Sequence, residues 1–147
     1  MAHYLFNFVK TDAAAGPAPR EQAAGFLRVR MWGVDQGERH GSALAAGDLV
    51  LIYLGAPERE LIGRAELGSA VHQWTPSEAQ AYPGDSRTGV LLAKVEVWDP
   101  PVPMQTVLSR IDSPIARADF EAGVVRITED EYEAALGVAA ERAVRSS

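Results

Sequence analysis

The strand predicted at Asp48–Leu54 is the feature that most constrains the fold of this chain of 147 residues. Its sequence, DLVLIYL, has apolar side chains at alternate and at intervening positions alike. Because successive side chains of a strand point to opposite faces, both faces of this strand are apolar. Such a strand is expected in the centre of a sheet. A Gly-Asp turn leads into it, and Gly55–Arg59 reads as a hairpin-like connection to the next strand.

Shorter strands and helices are expected on either side of it. Further strands are predicted at Tyr4–Lys10, at Leu61–Trp74, at Val90–Trp98, which three prolines end, and at Val124–Ile127. Short helices are predicted at Arg20–Ala24, from Pro76 to about Tyr82, within Met104–Ile111 and from Glu129 to about Arg145. Two of them follow capping boxes, Thr75 with Glu78 and Thr128 with Glu131. Regular βαβ alternation is missing, which favours an α+β fold with a curled mixed β-sheet or barrel of five to six strands and peripheral short helices. The chain is expected to form one domain, residues 1–147.

Composition limits the classes of function. No apolar run approaches the ~20 residues of a membrane-spanning helix, and the N-terminus lacks the pattern of a signal peptide. With no cysteine in the chain, a soluble cytoplasmic protein without a membrane partner is expected. The net charge of −6 lies mostly in residues 75–147, which weakens long-range attraction to phosphates there. The P-loop, GxGxxG, GxSxG and HExxH motifs are missing, and the three histidines lack ligand spacing, so neither a cofactor nor a metal is expected.

The segment Phe26–Trp32, FLRVRMW, is the leading candidate for a binding surface. We expect it to be extended, with Arg28 and Arg30 on the same face as Trp32. A flat indole beside guanidinium groups suits a stacked nucleobase, since stacking contributes roughly 1–3 kcal/mol per base and arginine adds planar stacking and phosphate contact. Two further aromatic residues at strand ends, Tyr53 and Trp74, are expected to supply more of the wall.

Several short motifs occur in the order found in EVE domains of the PUA-like superfamily. They are YLFNF near the start, Trp32-Gly33-Val34 before a polar stretch, Gly47-Asp48 before a strand that ends in Tyr53, Ile62-Gly63 in the next strand, and a PVPM segment. The chain resembles this family from residue 3 to residue 136. The resemblance implies a PUA-like curled barrel with peripheral helices, related in architecture to YTH and ASCH domains.

The resemblance also implies a function. The protein would be a non-enzymatic module that recognises a modified, chiefly methylated, nucleobase of DNA or RNA, or a nucleotide, in an aromatic-walled pocket. Trp32 would be a wall, Asn7 would bond to the edge of the base, and Tyr53 and Trp74 would complete the enclosure. An added methyl group gains apolar contact in such a pocket. A homodimer is left open. The ligand-binding residues expected are Trp32, Asn7, Tyr53, Trp74, Arg28, Arg30, Gly33, Val34, Asp35 and His40.

One departure from the family concerns Asp35. Many EVE domains have Arg-Asn after the Gly-Val pair, whereas this chain has Asp35-Gln36. A carboxylate at that place accepts from an exocyclic amine but repels a phosphate. The ligand is therefore expected to differ from the usual one.

Two alternatives stand beside this hypothesis. Gly33–His40 partly matches the ASCH signature, keeping Gly33 and Glu38 but not its lysine and arginine. In an ASCH-like nucleoside or nucleobase hydrolase, Glu38 or Asp35 would act as general base and His40 as proton donor. In the other alternative the protein is an interaction module whose aromatic residues are only core and whose acidic last helix meets a partner. Burial of Trp32 with no adjacent cavity would favour that alternative.

Overall fold

A computed structural model describes residues 2–8, 19–34, 41–55, 59–84, 86–110 and 124–146. Seven strands and four helices lie within these ranges. The strands are β1 (His3–Phe8), β2 (Met31–Gly33), β3 (Leu49–Leu54), β4 (Glu60–Leu67), β5 (His72–Gln73), β6 (Thr88–Pro103) and β7 (Val124–Ile127). The helices are α1 (Pro19–Val29), α2 (Pro76–Ala81), α3 (Met104–Leu108) and α4 (Glu129–Ser146), and a 3₁₀ turn spans Gly41–Ala43. None of the helices in the described ranges is both long and apolar enough to cross a membrane.

The strands form one curled mixed sheet in the order β2-β6-β4-β3-β1-β7, and β5 pairs with the start of β6. Within the described ranges, β1 and β3 run parallel and the other strand pairs are antiparallel. The strand predicted to be central is β3, which lies between β4 and β1, so this prediction is confirmed. The α+β class is confirmed as well, with one or two strands more than expected.

The sheet separates two apolar clusters. On one face Phe6 and Ile52 pack with α1 and β2. On the other face Leu5 and Leu51 pack with α3 and α4. Because neighbouring residues of β1 and β3 point to opposite faces, each of these strands contributes to both clusters. The alternation that made DLVLIYL apolar throughout thus corresponds to a strand covered on both sides.

The strand β6 is longer than predicted because its prolines do not end it. The register of β4 with β6 passes directly from Val97 to Val102, opposite Gly63 and Leu61. Pro100 and Pro101 fall in this bulge, where a missing N–H interrupts no ladder hydrogen bond. Gly63 is a point of close approach, because a Cβ atom there would lie 2.3 Å from the carbonyl oxygen of Glu96.

The prediction that Phe26–Trp32 is extended is wrong. The helix α1 continues as far as Val29, and only Met31–Gly33 forms a strand. Ala23, Phe26 and Leu27 are buried at a spacing of three and four residues, which is the apolar face of a helix. Arg30 follows with a φ of 59°, so it reverses the chain between the helix and β2. Arg28 and Arg30 therefore do not share a strand face with Trp32.

Other predicted elements are present with changed limits. The strand expected at Leu61–Trp74 is divided into β4 and the two-residue β5. The last two residues of the strand expected at Tyr4–Lys10 lie outside the described residues. Both capping boxes are confirmed: the side chain and backbone of Thr75 bond reciprocally with Glu78, and those of Thr128 with Glu131.

Candidate functional site

A chain of aromatic rings runs through the first apolar cluster toward the surface. The Trp32 ring stacks on Phe6 with centroids 6.0 Å apart and meets the Phe26 ring edge-on at 5.4 Å. The Phe26 ring stacks on Tyr82 at 5.1 Å, and Tyr82 contacts Trp74 at 5.1 Å. Aromatic pairs in these geometries contribute about 0.5–1.5 kcal/mol each beyond the area that they bury. The two rings at the outer end of this row, Trp74 and Tyr82, are therefore rigidly supported by the rings behind them.

A pocket of about 350 Å³ opens at this outer end. Trp74, Ala79, Tyr82 and Gly84 form its apolar or small lining, and polar groups come from Gln73, Ser86 and Arg87. Gln73 and Arg87 are exposed, whereas Trp74 and Tyr82 are only 8% and 7% exposed. The pocket thus combines two aromatic walls, Trp74 and Tyr82, with an amide and a guanidinium group near its rim.

Hydrogen bonds fix the orientation of both aromatic walls. The indole Nε1–H of Trp74 donates to the carbonyl oxygen of Ser86 at 3.0 Å. The backbone N–H of Gly33 donates to the Tyr82 hydroxyl at 3.1 Å. A Cβ atom at Gly33 would lie 2.4 Å from that hydroxyl, so only glycine permits this approach. A hydrogen bond with the backbone thus holds each of the two walls in place.

The segment Trp32-Gly33-Val34 is tied to the same region by its backbone. The N–H of Val34 donates to the carbonyl oxygen of Thr88 at 3.0 Å, and the Thr88 hydroxyl donates to the carbonyl oxygen of Val34 at 2.6 Å. Thr88 begins β6, one residue after Arg87 of the pocket. Trp32-Gly33-Val34, at the end of the predicted binding segment, is therefore bonded directly to the strand that follows Arg87 of the pocket.

Neither a protein-family model nor a curated protein sequence matches the chain. Solved structures do match it over nearly its whole length. Human THYN1 protein, solved in complex with 5-methylcytosine containing DNA, matches with a TM-score of 0.63 at 14% identity, covering 95% of this chain and 98% of that chain. The chain has a PUA-like fold.

Two further matches have the same architecture. A hypothetical protein from Leishmania major matches with a TM-score of 0.67 at 14% identity over 97% of this chain and 96% of that chain. ASCH from Zymomonas mobilis matches with a TM-score of 0.54 at 13% identity over 93% of this chain and 95% of that chain. At such identities the likeness concerns the fold alone.

Within this PUA-like fold, Trp32 lies in the core. It is 4% exposed and is surrounded by Phe6, Phe8 and Phe26. Burial is what the interaction-module alternative expects of this residue, but the pocket begins two rings away, at Tyr82. The predicted role of Trp32 as a wall stays a prediction, and its observed contacts are those of a support behind the wall.

Asn7 and Tyr53 lie beside each other but away from Trp32. They are opposite partners in the parallel pair of β1 and β3, and both are buried. Tyr53 packs in the second apolar cluster, on the face of the sheet opposite to Trp32. Burial raises the pKa of Tyr53, and the positive charge of Arg59 opposes that shift only in part. The structure therefore does not join these two residues with Trp32 in one pocket.

The remaining predicted residues are distributed as follows. Trp74, Gly33 and Val34 lie at or beside the pocket. Arg28 and Arg30 are exposed at the end of α1, and the guanidinium group of Arg30 donates to the carbonyl oxygen of Ala93 at 2.9 Å. Asp35 and His40, like Glu38 of the hydrolase alternative, lie outside the described residues, so their roles stay predictions.

Gln73, Tyr82, Ser86 and Arg87 line the pocket and were missed as site residues from the sequence. Tyr82 was assigned only as the end of a helix, and its ring was not connected with Trp74. The available signal was the short capped helix between them, which brings two aromatic residues eight positions apart back to one place. Within the described residues, no group of three or more histidine, aspartate or glutamate side chains could hold a metal ion.

Proposed function

We propose that the protein is a non-enzymatic module that binds nucleic acid and holds a methylated base in the pocket lined by Trp74 and Tyr82. The observation that carries this proposal is the pocket itself, in which two supported aromatic walls lie beside an amide and a guanidinium group. The fold shared with human THYN1, which was solved with 5-methylcytosine containing DNA, supports the same class of ligand.

Each part of the pocket suits one part of a nucleotide. Trp74 and Tyr82 supply apolar and aromatic surface for a base and its methyl group. The side-chain amide of Gln73 has both a donor and an acceptor, so it can bond to the edge of a base. Arg87 supplies a guanidinium group, which binds phosphate through parallel N–H donors. Contact with the base, bonding to its edge and binding of phosphate are thus each assigned to different side chains.

The methyl group is expected to add a modest amount of affinity. A buried CH₂ or CH₃ group contributes about 0.8 kcal/mol, which corresponds to about fourfold in Kd. Discrimination of this size requires the Trp74 and Tyr82 walls to stay in place, because walls that rearrange lose the contacts that the methyl group gains. The ring contacts of Trp32 with Phe26 and of Phe26 with Tyr82 provide that rigidity.

The charge distribution limits the number of phosphate contacts. The chain carries a net charge of −6, and of the three exposed cations Arg28, Arg30 and Arg87 only Arg87 lines the pocket. Each neutralised phosphate changes the logarithmic salt dependence of binding by roughly 0.7–0.9. We therefore expect a shallow salt dependence, typical of a reader that depends on its pocket more than on backbone attraction.

Fluorescence anisotropy with labelled oligonucleotides tests the proposal. Single- and double-stranded DNA carrying one 5-methylcytosine is compared with the same sequences without the methyl group. We expect wild type to bind one methylated form about fourfold more tightly than its unmethylated match. Arg87→Gln is expected to weaken binding and to lower the salt slope by about 1, since it removes a phosphate contact. Gln73→Ala is expected to reduce the preference for the methylated base.

Lys94→Gln is the matched control. Its side chain is 82% exposed on β6 and lies outside the pocket, so binding should stay at the wild-type level. Equal affinity of wild type for methylated and unmethylated DNA in both strand forms would refute methyl recognition in DNA. The same set of oligonucleotides in RNA, with 5-methylcytidine, then decides between the two nucleic acids.

A further inference from the structure

Both ring nitrogens of His72, at the edge of the pocket, face hydrogen-bond acceptors. Its Nδ1 lies 3.1 Å from the carbonyl oxygen of Ala70, and its Nε2 lies 3.0 Å from Oε1 of Glu78. A neutral imidazole has one donor and one acceptor nitrogen, whereas an imidazolium has two donors. Only the protonated ring therefore satisfies both contacts. In either neutral tautomer a lone pair would face an oxygen lone pair.

A neutral His72 ring that donates to Glu78 would have to take its hydrogen bond at Nδ1 from the Ser69 hydroxyl. The Ser69 hydroxyl lies 3.5 Å from Nδ1, but it donates to the same carbonyl of Ala70 at 3.0 Å. Glu78 on α2 is the charged group that faces the ring. The strand β6 contributes Gly89 opposite His72 and, two residues earlier, the cation Arg87. The Ala70 carbonyl and the Glu78 carboxylate are also the groups that raise the pKa of His72, with partial burial acting against them.

The contact between His72 and Glu78 connects the two walls of the pocket. The His72 ring meets the Trp74 ring edge-on, with centroids 5.5 Å apart and planes 88° apart. Glu78 lies in α2, and its carbonyl oxygen accepts the N–H of Tyr82 at 2.9 Å. One wall thus follows β5 and His72, and the other follows α2 and Glu78. The ion pair spans the gap between the elements that carry them.

We propose that protonated His72 is a positioning residue that holds the Trp74 and Tyr82 walls together, so that a methylated base binds more tightly at acidic than at basic pH. This inference rests on the proposed function for its ligand. His72 need not touch the base, because it acts through the position of Trp74.

The sign of the pH effect follows from linkage. A histidine whose pKa is raised on folding stabilises the native arrangement fully below its ordinary pKa of about 6.5, and the stabilisation is lost as the pH rises through the raised value. If the arrangement that binds the base is the one with His72 protonated, bound DNA must in turn raise the pKa of His72 further. A rise of half a unit corresponds to about threefold in Kd between the two ends of the titration.

The test measures binding of the 5-methylcytosine oligonucleotide at about pH 5.5 and about pH 8 at constant ionic strength, which spans the titration of a histidine. We expect wild type to bind about threefold more tightly at the lower pH. His72→Gln and Glu78→Gln are expected to bind with little dependence on pH. Glu78→Gln retains an oxygen that can accept from Thr75 in the capping box, so it removes the charge without removing the cap.

Glu131→Gln is the matched control, because Glu131 occupies the same place in the capping box of α4. It should bind with the pH dependence of wild type. If His72→Gln keeps that dependence while it remains folded, the inference is wrong.

A measurement without DNA separates this inference from the proposed function. The His72 ring and the Trp74 indole N–H are followed by NMR through a pH titration, with Trp74→Phe to assign the indole resonance. We expect the indole resonance to shift with the pKa of His72, and Glu78→Gln to abolish the coupled shift. An indole resonance that does not respond to His72 would refute the positioning role. If wild type binds no methylated oligonucleotide at either pH but the coupled shift is present, the proposed function fails and the positioning role is supported.

Discussion

Two glycine residues show how differently single positions are constrained. Gly63 lies in β4 where the sheet is closest to β6, and a Cβ atom there would lie 2.3 Å from the Glu96 carbonyl oxygen and 3.2 Å from the Cα atom of Val97. Gly137 lies in α4, and a Cβ atom there would meet nothing within 4 Å. The same substitution therefore has opposite expected effects at the two positions.

Gly63→Ala is expected to destabilise the protein by about 2 kcal/mol or more, because backbone on two strands must move apart. Gly137→Ala is expected to stabilise it by roughly 0.5–1 kcal/mol, since alanine has less backbone entropy to lose in a helix. Urea denaturation of both variants measures the difference. A loss of less than about 0.5 kcal/mol for Gly63→Ala would show that the sheet adjusts at this bulge at little cost.

At the scale of elements, the α4 helix is anchored at its start. The N–H of Thr128 donates to the Glu131 carboxylate at 2.7 Å, and the N–H of Glu131 donates to the Thr128 hydroxyl at 3.1 Å. Tyr132, Ala135 and Val138 then bury one face of the helix against the second cluster. The cap fixes where this face begins, and so fixes which side chains reach the sheet.

Thr128→Ala is expected to cost about 1 kcal/mol of stability, because it leaves the N–H of Glu131 without its side-chain acceptor. Thr128→Ser keeps the hydroxyl and should remain close to wild type. Urea denaturation followed by circular dichroism at 222 nm provides the measurement. Equal losses for alanine and serine would show that the methyl group of Thr128, and not the cap, is what matters.

The capped helices were predictable because both partners of a capping box lie three residues apart in the sequence. The segment Phe26–Trp32 was not, since an alternation of apolar and polar residues over seven positions is compatible with a strand. Its helical part, Phe26–Val29, buries Phe26 against Tyr82, which comes from a distant part of the chain. Local pattern alone does not contain that contact.

The candidate site was likewise predictable only in part. Trp74, Gly33 and Val34 were expected to take part, and they lie at or beside the pocket. Asn7 and Tyr53 were placed with Trp32, although they lie on the other face of the sheet. Which face of β1 meets β2 depends on sheet order and curl, and these are set by pairing between distant strands. The sequence carries no direct signal of either.

At the scale of the whole molecule, ionisable groups predict how stability depends on pH. The pKa of Glu96 is lowered, first by the Trp98 indole N–H at 2.8 Å and also by Arg64. The pKa of Glu78 is lowered by the backbone N–H of Thr75 and by His72. A lowered pKa gives stability that is present above the ordinary carboxyl value and is lost as the pH falls through the lowered one. The raised pKa of His72 gives a loss in the opposite direction.

The protein is therefore expected to be most stable between about pH 4.5 and about pH 6.5. Thermal unfolding across this range and beyond it, at constant ionic strength, measures the curve. Glu96→Gln should flatten the acidic side, and His72→Gln should flatten the basic side. A curve with the same shape in wild type and both variants would mean that other groups set the pH dependence.

The position of β1 within the sheet has a consequence for synthesis on the ribosome. This strand lies between β3 and β7, and His3 pairs with Ile127 near the other end of the chain. The segment YLFNF is translated before β3 and long before β7, so one of its edges has no partner until β7 has been translated. Until then it is an apolar strand with an open edge, the kind of segment that aggregates or recruits chaperones. The yield of folded protein is thus expected to depend on how quickly β7 and α4 are translated.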